Sequence, residues 1–371
     1  MKKCPFCGAE NPASAFFCEQ CQKPLSATKS AAITKTKSKL PLFIGGAIVI
    51  VLAISVYFTF FTAAHSTAPK PVRSTKANPN KIVVRKSASS SAVTNVKSKG
   101  SSVSAQANFN ADKIKTDIQT TVGTISGLTS VYVAPTTGSQ QVVIDNQQQR
   151  AASSIKLFIL AAAYSQVNRG QLNLSELHTL SSAEIVGGTG LVQNMAVGTQ
   201  LSYQDLLTRM IQDSDNTATN IVIDKLGGLN VVNQVAAQLG AKDTQLQRKM
   251  LDTQTLAAGK DNLTTVQDIG NLLTKLYKHQ LISKPADDAM LGILATTKNH
   301  SKLPQSLPAG TTVYNKTGEY PDYGVQNDAA IIKNEKGAFV VVVLAQNGVE
   351  SQQVTAMNKL GALLYQDILA D

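Results

Sequence analysis

Hydrophobic and polar positions divide the chain into a long uncharged run, polar segments and one large region of mixed pattern. Residues 40–64 form a run of 25 residues without a charge, dominated by Ile, Val, Leu, Phe and Ala. A helix of this length spans a bilayer with a hydrocarbon core of roughly 30 Å. A cleaved signal peptide would be shorter and start earlier, and a buried core helix would not have such polar flanks. We therefore predict a transmembrane helix at 40–64.

Residues 108–371 alternate between strand-like and helix-like patterns. Period-two alternation on both sides of a Pro-Thr-Thr-Gly turn predicts a β-hairpin of strands 130–134 and 141–145. An apolar, Ala-rich run extends from 155 to 164. Helical periodicity predicts further helices at 111–122, 202–212, 218–226, 229–239, 265–277 and 352–369. Strand-like runs return at 311–315, 327–333 and 338–345.

This order of elements predicts an α/β domain of the α+β sandwich type. Strands occur near both ends of the region and helices between them. One antiparallel sheet built from both ends, flanked by helices and carrying an inserted all-helical subdomain, accommodates that order. The 264 residues of 108–371 are enough for one large core.

Two polar segments flank the predicted span. Residues 26–39 form a Lys-rich linker, and residues 65–107 are rich in Ser, Lys, Ala, Thr and Pro. Such compositions bury too little apolar surface to order themselves. We predict a basic linker at 26–39 and a disordered stalk at 65–107, which would hold the C-terminal domain away from a membrane.

The net charge of +11 is unevenly distributed along the chain. Residues 1–107 contain 15 Lys and Arg against 2 Asp and Glu, whereas 108–371 contain 20 against 22. The basic character therefore belongs to the N-terminal arm. It favours contact with anionic lipid or wall polymer and argues against nucleic acid as a partner.

All four cysteines lie in the first 21 residues. Cys4 and Cys7, then Cys18 and Cys21, form two C-x2-C pairs separated by ten residues. Two such pairs can present four thiolates to one Zn²⁺, although two redox pairs or disulfides would share the spacing. We predict a structural zinc ribbon at 1–25, similar to those of many bacterial membrane proteins, folded by its metal. The pattern does not identify what the ribbon binds.

The lysine distribution predicts the orientation of the span. Five lysines in residues 23–39 precede it closely, and a sparser basic group follows from Lys70 onwards. The denser cluster is expected on the cytoplasmic side. We therefore expect a single-pass protein of the cell membrane, with a cytoplasmic ribbon and an extracellular C-terminal domain. Thiolate ligands agree with a reducing compartment.

Ser153 and Lys156 are the first candidate chemistry in the large domain. They lie three residues apart where an apolar helix begins, so the Lys amine could reach the Ser hydroxyl. Unpaired N–H groups in a first helical turn favour developing negative charge. A serine activated by a neighbouring lysine can carry out acyl transfer. The spacing alone is weak, because it recurs at Ser26 and Lys29.

Two further tripeptides make the pattern specific. Each occurs once in the chain: Ser214-Asp215-Asn216 and Lys316-Thr317-Gly318. With Ser153 and Lys156 they form the motif set of class A β-lactamases and penicillin-binding proteins, in the same order. Residues 108–371 therefore resemble the class A β-lactamase-like serine hydrolases. Supporting matches are Gly187-Gly188-Thr189-Gly190, the stretch 213–220, the stretch 248–252 and Asn327-Asp328-Ala329-Ala330.

The resemblance implies catalytic roles. Ser153 would be the nucleophile and Lys156 its base, provided that burial and the nearby charge of Lys316 lower the pKa of Lys156. Ser214 would relay a proton to the leaving nitrogen. The backbone N–H groups of Ser153 and Glu319 would form the oxyanion hole.

The resemblance also implies substrate contacts. Asn216 would hold the amide side chain of the substrate, and Lys316 and Thr317 would bind its carboxylate. Gly318 would allow close approach of the backbone, and Glu319 would contribute its N–H. No cofactor is expected for this chemistry. The implied partners are β-lactams or the D-Ala-D-Ala-type stem peptides of peptidoglycan, besides membrane lipid around the span.

One departure from the family pattern concerns deacylation. Family β-lactamases use a Glu between the second and third motifs to activate water. Counting from Ser214 places Met250 there, and aligning on 248–252 places Gln254 there. Neither is a base, and we expect Asp252, the only carboxylate of 249–260, to be structural. Acylation could persist while hydrolysis of a β-lactam acyl-enzyme is slow.

Three functions fit these features. The first is a membrane-anchored serine hydrolase, either β-lactamase-like or D,D-peptidase-like. The second is a sensor, in which slow release of a β-lactam outside is signalled to the ribbon inside. The third is a non-catalytic peptidoglycan-binding scaffold. The sequence does not decide whether water or an amine accepts the acyl group.

Overall fold

The computed structural model of the protein describes residues 1–4, 7–11 and 108–370. The chain divides into two compact units, Met1–Gly100 and Ser101–Asp371. The predicted linker 26–39, span 40–64 and stalk 65–107 fall outside the described residues and stay predictions. Among the helices of the described ranges, none has both the length and the apolar character needed to cross a bilayer.

The described part of the N-terminal unit is a small antiparallel ribbon. Strands β1 (Lys2–Lys3) and β2 (Glu10–Asn11) pair with each other. In the connecting turn, Cys4 N donates to Ala9 O at 2.8 Å and Gly8 N donates to Cys4 O at 3.0 Å. Gly8 has a φ of 79°, which a residue with a side chain rarely adopts. These bonds place Gly8 and Ala9 beside Cys4.

The rest of the predicted zinc site is not described. Cys4 is buried and Cys7 is exposed, whereas Cys18 and Cys21 lie outside the described residues. Within 1–4, 7–11 and 108–370 no three Cys, His, Asp or Glu side chains form a group suited to a metal ion. The four-thiolate zinc ribbon therefore stays a prediction.

The C-terminal unit contains strands and helices over residues 111–370. Its strands are β3 (Leu128–Pro135), β4 (Val142–Ile144), β5 (Gln149–Arg150), β6 (Leu177–Thr179), β7 (Gln200–Ser202), β8 (Leu263–Thr264), β9 (Thr312–Tyr320), β10 (Val325–Lys333) and β11 (Ala338–Gln346). Its helices are α1 (Ala111–Thr120), α2 (Lys156–Asn168), α3 (Tyr203–Gln212), α4 (Asn216–Lys225), α5 (Leu229–Gln238), α6 (Thr253–Ala257), α7 (Val266–Tyr277), α8 (Lys284–Leu294) and α9 (Glu350–Tyr365).

One five-stranded antiparallel sheet organises this unit. Its strand order is β4-β3-β11-β10-β9, so strands from both ends of the unit are neighbours. In the predicted hairpin, Val131 pairs with Ile144, and in the β9–β10 pair Lys316 lies opposite Ala329. The prediction of an antiparallel sheet built from both ends, with helices between, is confirmed.

Side chains from the two faces of the sheet belong to two separate hydrophobic cores. Because successive residues of a strand point to opposite faces, Val340 and Val342 join one core and Val341 and Val343 join the other. The first core also contains α2 and the inserted helices between β5 and β9. The second contains α1 and α9. Burial on both faces accounts for the nearly unbroken apolar run of β11.

Several predicted boundaries shift in the structure. The predicted strand 311–315 is too short, because β9 continues to Tyr320 through the third motif. Pairing with β10 overrides the weak strand preference of a Lys-Thr-Gly sequence. Helix α8 and the short α6 were not predicted. The last helix, expected at 352–369, ends as an α-helix at Tyr365 and closes with a π-helical turn, Gln366–Ala370.

Candidate active site

Ser153 lies in a 3-10 turn, Ala152–Ile155, directly before α2. The sequence predicted it inside the first turn of the α-helix, and the structure places it one turn earlier. Ala152 has a φ of 44°, a left-handed conformation that is strained for a residue with a side chain. Asn327 of β10 holds the turn, because its Nδ2 donates to Arg150 O at 2.9 Å and to Ala151 O at 3.1 Å.

The first nine residues of helix α2 are buried on all sides, and apart from Lys156 they are apolar or aromatic. Lys156 is fully buried, as are Leu157, Phe158 and Ile159 that follow it. A helix that is hydrophobic all round must be enclosed by other elements, and α2 lies within the first core. The Lys156 ammonium is therefore fixed by the fold in a place without bulk water.

The Lys156 Nζ contacts the second motif. It donates to Ser214 O at 2.6 Å, to Ser214 Oγ at 3.2 Å and to Asn216 Oδ1 at 3.0 Å. Within the described residues no hydrogen bond joins it to Ser153 Oγ, although both groups belong to the same helical segment. The Lys amine is thus linked to the Ser214 hydroxyl, and the predicted contact with Ser153 is not made in this state.

The second motif forms a tight turn before α4. Ser214 has a φ of 52°. Asp215 caps α4, since its carboxylate accepts from Ala218 N at 2.9 Å and from Val192 N at 2.8 Å. Thr189 supports the turn by donating from Oγ1 to Ser214 O at 2.7 Å. Asp215 is therefore a structural residue that points the Ser214 and Asn216 side chains towards Lys156.

The third motif packs directly against the Ser153 turn. A Cβ atom added to Gly318 would lie 2.9 Å from Ala151 O, 3.0 Å from Ser154 N and 3.1 Å from Ser153 N. Such distances are shorter than side-chain carbons tolerate, so only glycine allows this approach. Gly318 thereby brings β9 and the backbone N–H groups of the turn side by side. The role of Gly318 in binding a substrate stays a prediction.

Burial and charge lower the pKa of two lysines in the site. Burial lowers the pKa of Lys156 well below its usual value, and the charge of Lys316 lowers it further. Burial also lowers the pKa of Lys316, to about 8, against the opposing effect of Glu319. Lys316 Nζ donates to Thr317 O at 2.7 Å. Both causes that the sequence predicted for a lowered pKa of Lys156 are present.

Two polar side chains beside the third motif were not predicted to interact with it. Lys302 is fully buried, and its Nζ donates to Glu319 Oε1 at 2.6 Å and to Asn327 O at 2.9 Å. Asn299 Nδ2 lies 3.3 Å from both Thr317 Oγ1 and Glu319 Oε1. Lys302 and Asn299 belong to no motif, so no pattern in the sequence could have identified them.

In residues 249–260, where the family glutamate would lie, the single carboxylate belongs to Asp252 and caps a helix. Met250 is buried in the first core, and its backbone exchanges two hydrogen bonds with the Asn220 side chain. Gln254 is exposed on α6. Asp252 caps α6, where hydrogen bonds from the Thr255 N–H and hydroxyl lower the pKa of its carboxyl. The structural role expected for Asp252 agrees with this geometry.

The predicted residues thus converge on one place. Ser153 and Gly318 meet through backbone contact, and Lys156 joins Ser214 and Asn216. The sequence profile described as "Beta-lactamase enzyme family" matches residues 112–368, most of the chain.

The chain belongs to the beta-lactamase enzyme family.

Curated relatives of this family are distant. Beta-lactamase SME-1 of Serratia marcescens is 26% identical over 193 residues, which is 51% of this chain and 65% of that protein. A beta-lactamase of Streptomyces lavendulae is 26% identical over 266 residues, 69% of this chain and 86% of that protein. The aligned segment thus spans just under two thirds of the Serratia protein.

Solved structures share the fold. A beta-lactamase from Sphaerobacter thermophilus matches with a TM-score of 0.63 and 27% identity, covering 70% of this chain and 97% of that one. A point mutant of PBP-A, solved as an acyl-enzyme complex with penicillin G, matches with a TM-score of 0.63 and 25% identity over 69% and 95% of the two chains. The fold is therefore that of β-lactamase-like and penicillin-binding-protein-like serine hydrolases.

Proposed function

We propose that the protein is a membrane-anchored extracytoplasmic serine hydrolase of the class A β-lactamase type. It forms an acyl-enzyme at Ser153 with β-lactams or with D-Ala-D-Ala-type cell-wall peptides, and it releases the β-lactam acyl group slowly. The observation that carries the proposal is the meeting of the Ser153 turn, the Lys156 amine and the third motif in one place. The PBP-A complex gives a related fold that holds a penicillin covalently.

Acylation begins with a neutral Lys156. The Ser153 hydroxyl gives its proton to the Lys156 amine as Ser153 Oγ bonds to the substrate carbonyl carbon. The carbonyl oxygen becomes an oxyanion, which accepts hydrogen bonds from the N–H groups of Ser153 and Glu319. The lowered pKa of Lys156 keeps part of the amine unprotonated for this step.

Collapse of the tetrahedral intermediate completes acylation. The carbon–nitrogen bond of the substrate breaks, and the leaving nitrogen takes the proton now carried by Lys156. The Lys156 Nζ lies 3.2 Å from Ser214 Oγ, so the hydroxyl can receive that proton and pass its own proton on. Asn216 holds the amide side chain of the acyl donor, and Lys316 with Thr317 binds the donor carboxylate.

Deacylation needs a group that takes a proton from water. Either Met250 or Gln254, depending on the alignment, stands in the place of the family glutamate, and neither side chain can do this. Lys156 is left as a candidate base, and its amine is hydrogen-bonded to Ser214 and Asn216. We therefore expect a long-lived adduct with β-lactams.

Labelling by a fluorescent penicillin tests the nucleophile. The Ser153→Ala variant should lose labelling. The matched control is Ser154→Ala, which removes the adjacent buried hydroxyl that donates to Ala151 O at 2.6 Å. That control should still be labelled, and intact-mass spectrometry should find one penicilloyl adduct per chain. Undiminished labelling of Ser153→Ala would refute the assignment.

The rest of the chain completes the proposal. The span at 40–64 would anchor the protein in the cell membrane, and the stalk at 65–107 would place the hydrolase domain outside. Cys4, Cys7, Cys18 and Cys21 would hold a structural Zn²⁺ in the cytoplasmic ribbon. Zinc supplied to the full-length protein should be retained through dialysis and lost after all four are changed to Ser, as measured by elemental analysis.

A β-lactam sensor is the second candidate. The buried Met250, in place of a base, favours it, because a persistent adduct suits a signal better than rapid turnover. Both functions predict a long-lived penicilloyl adduct, so turnover of a D-Ala-D-Ala-type peptide separates them. Steady-state hydrolysis of the peptide would count for a hydrolase, and a persistent adduct without any peptide turnover would favour the sensor.

A further inference from the structure

A buried cation–carboxylate pair lies beside the proposed carboxylate subsite. Lys302 is only 1% exposed, and it points its Nζ at Glu319 Oε1, 2.6 Å away. A buried ammonium is unfavourable unless an opposite charge and hydrogen bonds compensate it. Lys302 therefore fixes the Glu319 carboxylate in place.

The loop that carries Lys302 is itself tied to the sheet. Asp328 of β10 accepts from Leu303 N at 3.1 Å and from Asn315 Nδ2 at 3.0 Å. The Lys302 Nζ also donates to Asn327 O at 2.9 Å. These contacts restrict movement of the Lys302 side chain away from Glu319.

Glu319 and Thr317 lie on the same face of β9, because residues two apart on a strand share a face. Asn299 Nδ2 connects them, 3.3 Å from Thr317 Oγ1 and 3.3 Å from Glu319 Oε1. The Glu319 side chain is 32% exposed to solvent. A carboxylate of the protein thus lies next to the hydroxyl that would anchor the carboxylate of an acyl donor.

The surrounding charges keep this carboxylate ionised. Burial acts to raise the pKa of the Glu319 carboxyl, but Lys302 and Lys316 together hold it below its usual value. The same negative charge acts on Lys316 to raise its pKa. Glu319 therefore offsets part of the positive charge that would attract an anionic donor group.

We propose that Glu319 is a specificity-determining residue of the acyl-transfer site. Its carboxylate disfavours acyl donors with a free carboxylate at the Lys316–Thr317 subsite and favours donors whose corresponding group is uncharged. This inference rests on the proposed function. The favoured class comprises peptides in which the carboxyl group beyond the scissile bond is amidated or continues into a further peptide bond.

The test compares charged and uncharged donors on wild type and Glu319→Gln. Glutamine keeps the shape and can still accept from Lys302, but it removes the charge. The second-order acylation rate constants of benzylpenicillin and its methyl ester are measured on the full-length protein. The ratio of the rate constant for benzylpenicillin to the rate constant for its methyl ester should rise about tenfold or more in the variant. This is the effect expected for removing an anion a few ångströms from the donor carboxylate.

Two further variants separate local charge from other effects. Asp322→Asn removes an exposed carboxylate from the turn that follows β9, without touching Lys302, and should leave the ratio unchanged. The double variant Glu319→Gln with Lys302→Gln removes both charges of the pair. Its ratio should lie above that of wild type and below that of Glu319→Gln, because the partly exposed Glu319 acts on the donor carboxylate more strongly than the buried Lys302 does. The double variant also serves if Glu319→Gln, which leaves Lys302 without a bonded carboxylate, does not fold.

The outcomes distinguish this inference from the proposed function. An equal ratio in wild type and Glu319→Gln, with both donors still acylating, overturns the specificity role alone. Should neither donor acylate any form, the proposed function fails. Binding of N-acetyl-D-Ala-D-Ala and of its carboxamide, measured by NMR titration, then decides the role of Glu319. The same tenfold change in preference supports it, and an unchanged preference overturns it.

Discussion

The lowered pKa of Lys316 predicts how acylation depends on pH. Burial lowers this pKa to about 8, so the ammonium is present at pH 7 and mostly lost at pH 9. A lysine is cationic below its pKa, and the attraction for a donor carboxylate disappears as the pH rises through that value. The protonated fraction falls from about nine tenths at pH 7 to about one tenth at pH 9. The acylation rate constant for a carboxylate donor should therefore fall about tenfold over that interval.

The acid limb has a different origin. Lys156 must be neutral to accept the Ser153 proton, and its lowered pKa shifts this limb to lower pH than an ordinary lysine would give. Acylation should decline as the pH drops through that pKa. The profile for benzylpenicillin is therefore bell-shaped, with the base on the acid side and the carboxylate anchor on the alkaline side.

Two comparisons isolate the alkaline limb. The second-order rate constant of acylation is measured from pH 6 to 10 with benzylpenicillin and with its methyl ester, while circular dichroism monitors the fold. The ester has no carboxylate to lose its partner, so it should show no decline above pH 8. Lys316→Arg keeps its charge throughout this range and should abolish the decline for benzylpenicillin.

The reasoning is wrong if both donors decline together above pH 8 in the wild type. That result would place the titrating group in the catalytic step and not in the carboxylate anchor. The ester comparison needs no variant, so it stands even if the larger guanidinium of Lys316→Arg does not fit the buried position.

Three further predictions follow from the packing. Gly318→Val should lower acylation about hundredfold in a labelling time course, because the new side chain would push β9 away from the Ser153 turn. Gly361→Ala should lower the free energy of unfolding by about 3 kcal/mol in urea denaturation, because its Cβ would overlap the backbone of Leu303. The control Gly292→Ala, in a helix and facing open space, should instead raise it by about 0.5–1 kcal/mol. Met250→Glu should shorten the lifetime of the penicilloyl adduct about hundredfold in an intact-mass time course, and Met250→Gln should not.

The sheet could be predicted because its strands carry their own signal. Strand β11 faces two cores and is apolar at nearly every position, and β3 and β10 each contain an apolar run, 131–134 and 329–332. Strand β9 gave a weaker signal. Its second half contains Lys316, Thr317 and Gly318, which look like loop residues in sequence and become strand residues through pairing with β10.

The candidate site was predictable as a set of motifs, and its connections were not. The sequence brought Ser153, Ser214 and Lys316 together by resemblance, and the structure places their segments in contact. It could not show that Lys156 bonds to Ser214 and not to Ser153, because that depends on the angle at which the second motif meets α2. Nor could it identify Lys302, because the interactions of Lys302 are with residues distant in the chain.

Buried lysines in this site differ in their partners, and the partners account for their different roles. Lys302 bonds to a carboxylate and holds Glu319 in place. Among the residues that the structure describes, Lys156 is bonded only to a carbonyl, a hydroxyl and an amide oxygen, and Lys316 only to a carbonyl. Without a bonded carboxylate, burial lowers the pKa of both. A lysine that acts as a base must lack a bonded carboxylate. A lysine that binds a substrate anion must leave the position of that carboxylate open. By placing its carboxylate on Lys302 and beside Thr317, Glu319 partly fills the position that a donor carboxylate would take, which is why the charge of the donor is the property to vary first.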